Sequence, residues 1–276
     1  MSIYKFCVMG HPIEHSQSPW IHAQFAEQAK LAISYIKIKP DLDRFAEEVE
    51  QFRIDGGSGL NVTHPFKQEA YRLASRKTER AEIAKSVNTI LFREGEIIGD
   101  NTDGIGLIRD ITKNLRYSLT GKTIVIFGAG GAVRGILDPI LKESPKEVII
   151  VNRTRDKATQ LVSEFSSFKQ LYVRNLDGLR DFSADVVIDG TTFFSPAEIP
   201  ASFSLNTDSL CYDLKYSTTP TAFMQWSKEK NGKIISDGLG LLIEQAAESF
   251  FVWTGFRPDT QAPAQSARNT ERYLSR

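Results

Sequence analysis

A strand-like segment that runs straight into a glycine turn is the feature that most restricts the fold. Thr123–Phe127 is apolar and of strand length, and Gly128, Gly130 and Gly131 follow it at once. The residues from Ala132 to Leu141 then have helical spacing. Glycines at such a turn let the backbone approach a pyrophosphate at a helix N-terminus, so the segment predicts a dinucleotide-binding unit. The alternative is a tight turn that needs glycine for backbone reasons alone.

Strand-like and helix-like segments alternate along the rest of the chain. This alternation predicts an α/β protein whose sheets are mainly parallel, with helices as the crossovers. A turn around Glu94 and Gly95 predicts a hairpin. Strands are predicted at Lys5–Met9, Ile33–Ile38, Gly59–Val62, Thr89–Phe92, Glu96–Gly99, Glu147–Val151, Asp185–Asp189 and Leu210–Leu214, and helices at Pro19–Lys30 and Leu42–Phe52, with Ser18 as the cap of the first helix.

Size and charge limit the kind of protein. With 276 residues and 41% hydrophobic content, two modest domains are expected rather than one. Lys plus Arg balance Asp plus Glu at 34 each, which gives no reason to expect nucleic acid or an acidic membrane surface as a partner. No run approaches the roughly 20 apolar residues that cross a bilayer, so we expect a cytoplasmic protein.

The two cysteines and the paired histidines do not predict a redox or metal centre. Cys7 and Cys211 each lie in an apolar, strand-like run, where a buried free thiol is expected; a disulfide or a catalytic thiol is the less favoured alternative. His11 and His15 are separated by Pro12, which opposes a helix that would align them. We expect no metal site.

The residues after the second dinucleotide-domain strand indicate the cofactor. An acid that binds the ribose 2′-hydroxyl of NAD usually stands there, but this chain has Asn152 and Arg153. A guanidinium holds a 2′-phosphate with paired, charge-assisted hydrogen bonds, so NADP is favoured over NAD. Arg155 and Lys157 add positive charge, although both fit equally well as solvated charges at a helix start.

Seven ordered motifs resemble the shikimate dehydrogenase family, which also includes quinate dehydrogenases. They are GHPIEHSQSP, GLNVTHPFK, SVNTI, GDNTDGIG, FGAGGA, NRT and DGLGLLIEQA, and together they span nearly the whole chain. The resemblance implies reversible, NADPH-dependent reduction of 3-dehydroshikimate to shikimate in aromatic amino acid biosynthesis. It also implies a small-molecule substrate and a monomer or homodimer.

The same resemblance implies the domain organisation. Residues 1–103 would form an α/β substrate-binding domain, completed by C-terminal helices at 242–276. Residues 104–241 would form a Rossmann domain that binds NADP(H). Catalysis would take place in the cleft between the two domains.

Two motifs would supply the catalytic pair, Lys67 of NVTHPFK and Asp103 of NTDG. Hydride delivery to a ketone builds an alkoxide, which must be stabilised and protonated as it forms. An ammonium group does both, and a carboxylate about 4 Å away would keep it charged, with an attraction of about 4 kcal/mol at an effective dielectric of ~20. Taken alone, Lys67 fits equally well as a surface lysine.

The remaining motif positions imply the ligand contacts. Ser16 and Ser18 would bind the substrate carboxylate, and ring hydroxyls would contact Asn61, Thr63, Asn88, Asp103 and Gln245, with Tyr216 nearby. Taken singly, Ser18 also fits a helix cap and Asn88 or Asn101 a turn. The cofactor residues would be Gly128, Ala129, Gly130, Gly131 and Ala132 at the pyrophosphate, Asn152, Arg153, Thr154 and Lys157 at the adenosine end, and Thr191, Leu214, Gly238 and Leu241 at the nicotinamide.

The chain departs from the family pattern at two places. DGTTFF, Asp189 to Phe194, stands where the family often has NATSxG, and His11 replaces an asparagine. The first change is expected to alter the loop beside the nicotinamide. Three alternatives remain: a quinate or shikimate dehydrogenase with relaxed substrate or cofactor use, a non-catalytic NADP-responsive binding module on the same fold, and a folate-type dehydrogenase, which the SxS and NTDG motifs disfavour.

Overall fold

A computed structural model of the chain describes residues 3–269, which divide into two compact units. The first comprises the chain up to Gly106 together with Leu242–Ser266, and the second comprises Leu107–Leu241. Each unit contains one six-stranded sheet. The mixed α/β class predicted from the alternation of segments is confirmed.

The first unit is built on a mixed sheet in which the neighbours pair in parallel except at β5, the one antiparallel strand of this sheet in residues 3–269. The strand order is β2-β1-β3-β5-β6-β4, in which β1 pairs in parallel with β2 and β3, while β5 runs antiparallel to β3 and β6. The elements are β1 Tyr4–Met9, α1 Ser18–Ala29, β2 Ile33–Ile38, α2 Phe45–Ile54, β3 Gly59–Val62, α3 Lys67–Leu73, β4 Arg76–Lys77, α4 Glu79–Ala84, β5 Thr89–Arg93, β6 Glu96–Asp100 and the start of α5, Asp103–Arg109.

The second unit is an all-parallel sheet in the strand order of a dinucleotide-binding domain. The order is β12-β11-β10-β7-β8-β9. Strands β8 and β9 are added on one side of β7, and β10 to β12 are added on the other side, so the order of addition reverses between β7 and β10. Its elements are β7 Thr123–Phe127, α6 Gly131–Lys142, β8 Glu147–Val151, α7 Arg155–Ser163, β9 Leu171–Arg174, β10 Ser183–Asp189, β11 Ser204–Asp213, α8 Ala222–Glu229 and β12 Ile234–Ser236. Helices α9 Leu239–Thr254 and α10 Gln261–Asn269 come next in the chain and belong mostly to the first unit.

The long C-terminal helix α9 packs on the first sheet, as the resemblance implies. Trp253 stacks on Phe6 of β1 with ring centroids 4.3 Å apart, and its indole N–H donates to the Ile90 carbonyl at 2.9 Å. Both aromatic side chains are buried. The helix therefore contributes apolar area to the core and also satisfies a backbone carbonyl of β5.

Two local predictions at helix starts are wrong. Helix α1 is preceded by Gln17, and Ser18 is its first residue and makes no side-chain cap. Helix α2 begins at Phe45 rather than Leu42. Phe45 and Val49 are fully buried on one helix face, whereas Leu42 is 62% exposed and adds little to the core.

The predicted burial of both cysteines is confirmed, and both are free thiols. Burial raises the pKa of Cys211 to about 11, which keeps the thiol protonated and unreactive near neutral pH. Within residues 3–269 no group of three or more His, Cys, Asp or Glu side chains has the arrangement of a metal site. In the same residues no helix combines the length and apolar character that crossing a membrane requires.

Arg80 holds α4, β6 and α9 together through two ion pairs. Its guanidinium lies 2.6 Å from Asp100 of β6 and 2.9 Å from Glu248 of α9, and both carboxylates are almost fully buried. Glu248 also pairs with Arg257, whereas Asp100 has no second ion pair among residues 3–269. Arg80 is therefore the sole cation among residues 3–269 that neutralises the buried Asp100 carboxylate.

We expect Arg80→Ala to lower the free energy of unfolding by about 3–5 kcal/mol, because the change leaves a buried carboxylate without its cation. Urea unfolding followed by circular dichroism measures the loss. Arg93→Ala is the matched control, since Arg93 pairs with Glu94 on the exposed surface, and it should cost less than about 1 kcal/mol. Equal losses in the two variants would contradict the role assigned to Arg80.

His22 of α1 is a fully buried imidazole in an aromatic environment. It stacks on Tyr35 with centroids 4.4 Å apart, and neither ring nitrogen has a hydrogen-bond partner in the described part of the chain. Burial lowers its pKa from 6.5 to about 3. The folded protein therefore holds His22 neutral at a pH where the unfolded chain binds a proton.

Because the unfolded state takes up that proton below about pH 6.5, the stability that neutral His22 provides is lost as the pH falls towards 3. We expect His22→Phe to remove this pH-dependent loss in the free energy of unfolding, which amounts to at most about 5 kcal/mol. Unfolding free energies of variant and parent should converge or cross as the pH is lowered through this window. His15→Phe, at an exposed site, should change the pH profile little; parallel profiles for the His22 variant and the parent would contradict the prediction.

Candidate active site and dinucleotide cleft

Lys67 and Asp103 form an ion pair in the first unit. Lys67 begins α3 shortly after β3, and Asp103 begins α5 shortly after β6. Both strands run antiparallel to β5, so their carboxyl ends lie at the same edge of the sheet. The Lys67 Nζ lies 2.6 Å from Asp103 Oδ2, and the side chains are 30% and 14% exposed. The sequence therefore delivers a cation and an anion, 36 residues apart, to one partly shielded position.

The Asp103 carboxylate is oriented from its other side. Asn88 Nδ2 donates to Asp103 Oδ1 at 2.8 Å, so each carboxylate oxygen has its own partner. The Asp103 backbone N–H donates to Asn101 Oδ1 at 3.1 Å, which fixes the first turn of α5. This arrangement holds Oδ2 towards Lys67 rather than leaving the ion pair to rotate freely.

Asn88 connects the ion pair to α9. Its Nδ2 lies 3.2 Å from Gln245 Oε1, and its Oδ1 accepts from the Thr102 backbone N–H at 2.9 Å. Gln245 is half-buried on α9 and Asn88 is buried. The structure thus brings together four of the predicted substrate-site residues, which are Lys67, Asn88, Asp103 and Gln245.

Asn61 lies next to this cluster, but its amide is occupied by protein groups. Tyr35 donates its hydroxyl to Asn61 Oδ1 at 2.7 Å, and Asn61 Nδ2 donates to Ser249 Oγ at 3.0 Å and to the Asn88 carbonyl at 3.2 Å. These contacts link β2, β3, the β5 segment and α9. Asn61 consequently supports the position of Asn88 from beneath.

Sequence reasoning missed the hydroxyl groups of this network. Thr89 Oγ1 lies 2.7 Å from Ser249 Oγ and donates to Asn88 Oδ1 at 2.9 Å. Ser249 is four residues after Gln245 on α9, a spacing that places two side chains on one helix face. That spacing was the available signal for Ser249.

No hydrogen bond joins Ser16, Ser18 or Thr63 to this cluster within residues 3–269. Ser16 Oγ donates to Ser18 Oγ at 3.2 Å, so the two hydroxyls form their own pair before and at the start of α1. Thr63 is half-buried just after β3. Tyr216 belongs to the second unit, follows β11 and is 38% exposed.

A cleft of about 410 Å³ opens in the second unit at the carboxyl ends of β7, β8 and β10. This is the edge of a parallel sheet at which its ligands bind, and β7 and β10 flank the reversal of strand order. Eight predicted cofactor residues line it: Gly128, Ala129, Gly130, Asn152, Arg153, Thr154, Lys157 and Thr191. Gly131 and Ala132 are exposed at the start of α6.

The glycine turn fits a pyrophosphate. Gly128 has φ +106°, and a Cβ there would lie 2.9 Å from the Gly190 carbonyl oxygen, so this position requires glycine. A Cβ at Gly130 or Gly131 would meet nothing within 4 Å. The turn therefore leaves open space above the N-terminus of α6, where backbone N–H groups favour an anion.

The adenosine end of the cleft carries free positive charge. Arg153 and Lys157 are exposed, and within residues 3–269 neither side chain makes a hydrogen bond or ion pair. Asn152 Nδ2 donates to the Thr154 carbonyl at 2.8 Å and stiffens the turn that carries Arg153. A guanidinium that lies beside this cleft without a protein partner can form charge-assisted hydrogen bonds with the 2′-phosphate of NADP. The neutral 2′-hydroxyl of NAD offers no such charge.

The predicted nicotinamide residues form a second group around the ends of β10 and β11. Asp189 Oδ1 accepts from the Thr191 backbone N–H at 2.9 Å and from its hydroxyl at 2.6 Å, and the Asp189 carbonyl accepts from the Leu214 N–H at 2.9 Å. The Leu241 N–H donates to the Tyr212 hydroxyl at 3.2 Å. Leu214, Gly238 and Leu241 are not among the lining residues of the 410 Å³ cleft.

Comparison with known proteins gives a consistent family assignment. The model of the shikimate dehydrogenase substrate binding domain matches residues 8–90, that of shikimate / quinate 5-dehydrogenase matches 110–197, and that of the shikimate 5′-dehydrogenase C-terminal domain matches 238–266. A shikimate dehydrogenase (NADP(+)) from Vesicomyosocius okutanii is 47% identical over 96% of this chain and 100% of its own length.

One further relative and one solved structure agree with this assignment. A shikimate dehydrogenase (NADP(+)) from Chromobacterium violaceum is 45% identical over 93% of this chain and 95% of its own. The crystal structure of shikimate 5-dehydrogenase from Thermus thermophilus in complex with NADP(H) and shikimate superposes with a TM-score of 0.83 at 28% identity, and the match covers 96% of this chain and 98% of the other.

Proposed function

Since this chain belongs to the shikimate dehydrogenase family, we propose that it catalyses the reversible reduction of 3-dehydroshikimate to shikimate with NADPH, in aromatic amino acid biosynthesis. The observation that carries the proposal is the Lys67–Asp103 ion pair, whose atoms lie 2.6 Å apart in a partly shielded position. An ammonium held beside a carboxylate can stabilise and protonate the alkoxide that forms when a ketone is reduced.

The proposed catalytic residues act on the oxygen of the ketone. Bound NADPH supplies a hydride, and the negative charge that develops on that oxygen is stabilised by the Lys67 ammonium. Lys67 then gives a proton to the oxygen. Asp103 holds the lysine in place, and its negative charge stabilises the ammonium. The two groups lie in direct contact, so a proton can pass between them. In the reverse direction the pair receives the hydroxyl proton.

Proposed substrate contacts follow the hydrogen-bonding capacity of each side chain. Gln245 is adjacent to the pair and offers a donor and an acceptor for ring hydroxyls. Asn88 would bind a ring hydroxyl by exchanging one of the protein partners of its amide. The paired hydroxyls of Ser16 and Ser18 would bind the carboxylate as neutral donors. Asn61 would act through Asn88, since its own amide is occupied. Roles for Thr63 and Tyr216 remain predictions from the motifs.

NADP(H) would be held by the second unit. Gly128–Ala132 would bind the pyrophosphate, and Arg153 and Lys157 would bind the 2′-phosphate, supported by Asn152 and Thr154. The carboxylate of Asp189 would keep the Thr191 loop in place beside the nicotinamide, with Leu214, Gly238 and Leu241 around it. A departure from the family pattern at 189 therefore preserves an ordered loop.

A four-way assay tests the proposed function. The protein is mixed with shikimate or quinate and with NADP⁺ or NAD⁺, and absorbance of the reduced nicotinamide is followed. We expect the highest kcat/KM with shikimate and NADP⁺. Absence of turnover with both acids, accompanied by NADP⁺ binding, would contradict the proposal and favour a binding module.

Relaxed use of quinate is the second candidate. The family model that matches residues 110–197 is described as shikimate / quinate 5-dehydrogenase, so the assignment of this region does not separate the two acids. Comparable kcat/KM for the two acids in the same assay would support it. A cytoplasmic location and a monomeric or homodimeric state complete the proposal, and size-exclusion chromatography with light scattering tests the latter.

A further inference from the structure

Phe193 is the most exposed large apolar side chain of the described residues, and it lies on the dinucleotide cleft. It is 83% exposed and is one of the cleft-lining residues. Leaving a phenylalanine in water forgoes the free energy that its burial would provide. An exposed aromatic ring at the edge of a cleft is available to a ligand that enters the cleft.

The residues on either side fix Phe193 in this position. Phe194 is buried and packs edge-on against Phe127 and Phe223, with centroids 5.6 and 5.1 Å away. On the other side, Thr191 is tied to Asp189 by two hydrogen bonds. A chain anchored at 191 and 194 leaves the Phe193 ring outside the core, so its exposure is a built feature of the loop.

The cleft beside Phe193 has the composition of a base-binding slot. Leu176, which follows β9, and Ile199 are half-buried apolar side chains that line the same cleft. Arg153 and Lys157 supply charge at its rim. β9 lies beyond β8 from the reversal of strand order, which is the side of the sheet that takes the adenosine half of a dinucleotide. Of the predicted nicotinamide residues, Thr191 lines this cleft, whereas Leu214, Gly238 and Leu241 do not.

We propose that Phe193 stacks on the adenine ring of bound NADP(H). The inference rests on the proposed function for the cofactor, and it adds an apolar contact to the charged one at Arg153. Stacking on an aromatic side chain is tolerant of base orientation and supplies affinity without a hydrogen bond. The two phenylalanines of DGTTFF thus have separate roles, with Phe194 in the core and Phe193 on the ligand.

The test is binding of adenosine 2′,5′-bisphosphate, which carries the adenine and the 2′-phosphate but no nicotinamide. Isothermal titration calorimetry compares the parent, Phe193→Ala and Phe193→Tyr. We expect Phe193→Ala to raise the Kd for this compound and for NADP⁺ by the same factor, about tenfold. Phe193→Tyr retains a stacking ring and should stay within about twofold of the parent.

Tyr172→Ala is the matched control, because Tyr172 is an exposed aromatic residue of β9 in the same unit but does not line the cleft. It should leave both Kd values unchanged. A second readout is Phe193→Trp, in which added 2′,5′-bisphosphate should quench the new indole fluorescence by stacking, relative to the same titration of the parent.

Each other outcome overturns the inference in a different way. An unchanged Kd for Phe193→Ala, with normal binding by the parent, would refute stacking and leave the proposed function intact. A loss for NADP⁺ alone would move the contact to the nicotinamide half and refute the adenine assignment. Failure of the parent to bind either compound would overturn the cofactor proposal itself.

Discussion

Lys67→Ala is expected to lower kcat by at least about 10²-fold with little change in KM for shikimate. The Lys67 ammonium lies 2.6 Å from Asp103. Among residues 3–269 it is the one cationic group that contacts the cluster of Asn88, Asp103 and Gln245. Losing a side chain positioned to give or take the reacting proton typically costs about 10²–10⁴ in rate. The ring-hydroxyl contacts stay in place, so ground-state binding should change less than the chemical step.

A conservative variant separates the two roles of the lysine. Lys67→Arg keeps a positive charge beside Asp103 but does not release a proton near neutral pH. If proton transfer matters, this variant should remain strongly impaired in kcat. A large rise in KM at unchanged kcat for Lys67→Ala would show that Lys67 only binds substrate.

Arg153→Ala is expected to weaken NADP⁺ binding by about 10- to 100-fold and NAD⁺ binding far less. Arg153 lines the cleft, is exposed, and has no protein partner in the described part of the chain, so its guanidinium is available for a 2′-phosphate. Hydrogen bonds to a charged group contribute about 1.5–3 kcal/mol, which corresponds to that range of Kd. Calorimetric titration with each dinucleotide measures the selectivity directly.

Arg155→Ala provides the control for this prediction. Arg155 has the same charge, begins α7 two residues further on and does not line the cleft. A general effect of removing positive charge would weaken NADP⁺ equally in both variants. Equal losses for NADP⁺ and NAD⁺ in Arg153→Ala would refute the phosphate contact.

The strands that position both sites were predictable because their sequence pattern is local. Thr123–Phe127 and Glu147–Val151 are fully or mostly buried strands with the predicted bounds, since an apolar run of that length next to a turn has few alternatives. Helix starts were less predictable. Leu42 is apolar, so its position in the sequence suggested a buried helix residue. Its exposure of 62% is set by the tertiary fold, which the local sequence does not show.

The site itself depends on contacts between distant parts of the chain. The pairing of Lys67 with Asp103 was predictable from the family resemblance alone, because no local sequence pattern indicates contact between residues 36 apart. Substrate binding by Asn61 stays a prediction, and the contacts that its amide makes with Tyr35, Ser249 and the Asn88 carbonyl could not be read from the sequence because they join distant segments. Phe193 was noted as a departure from the family pattern, and its exposure follows only from the burial of Phe194 beside it.

A double-mutant cycle on kcat tests the central claim most directly, namely that Lys67 and Asp103 act as one catalytic unit. Lys67→Ala, Asp103→Asn and the double variant are assayed with saturating shikimate and NADP⁺. We predict that the double variant is no slower than the slower single variant, because either change already disables the pair. Losses that multiply would show independent roles and contradict the account.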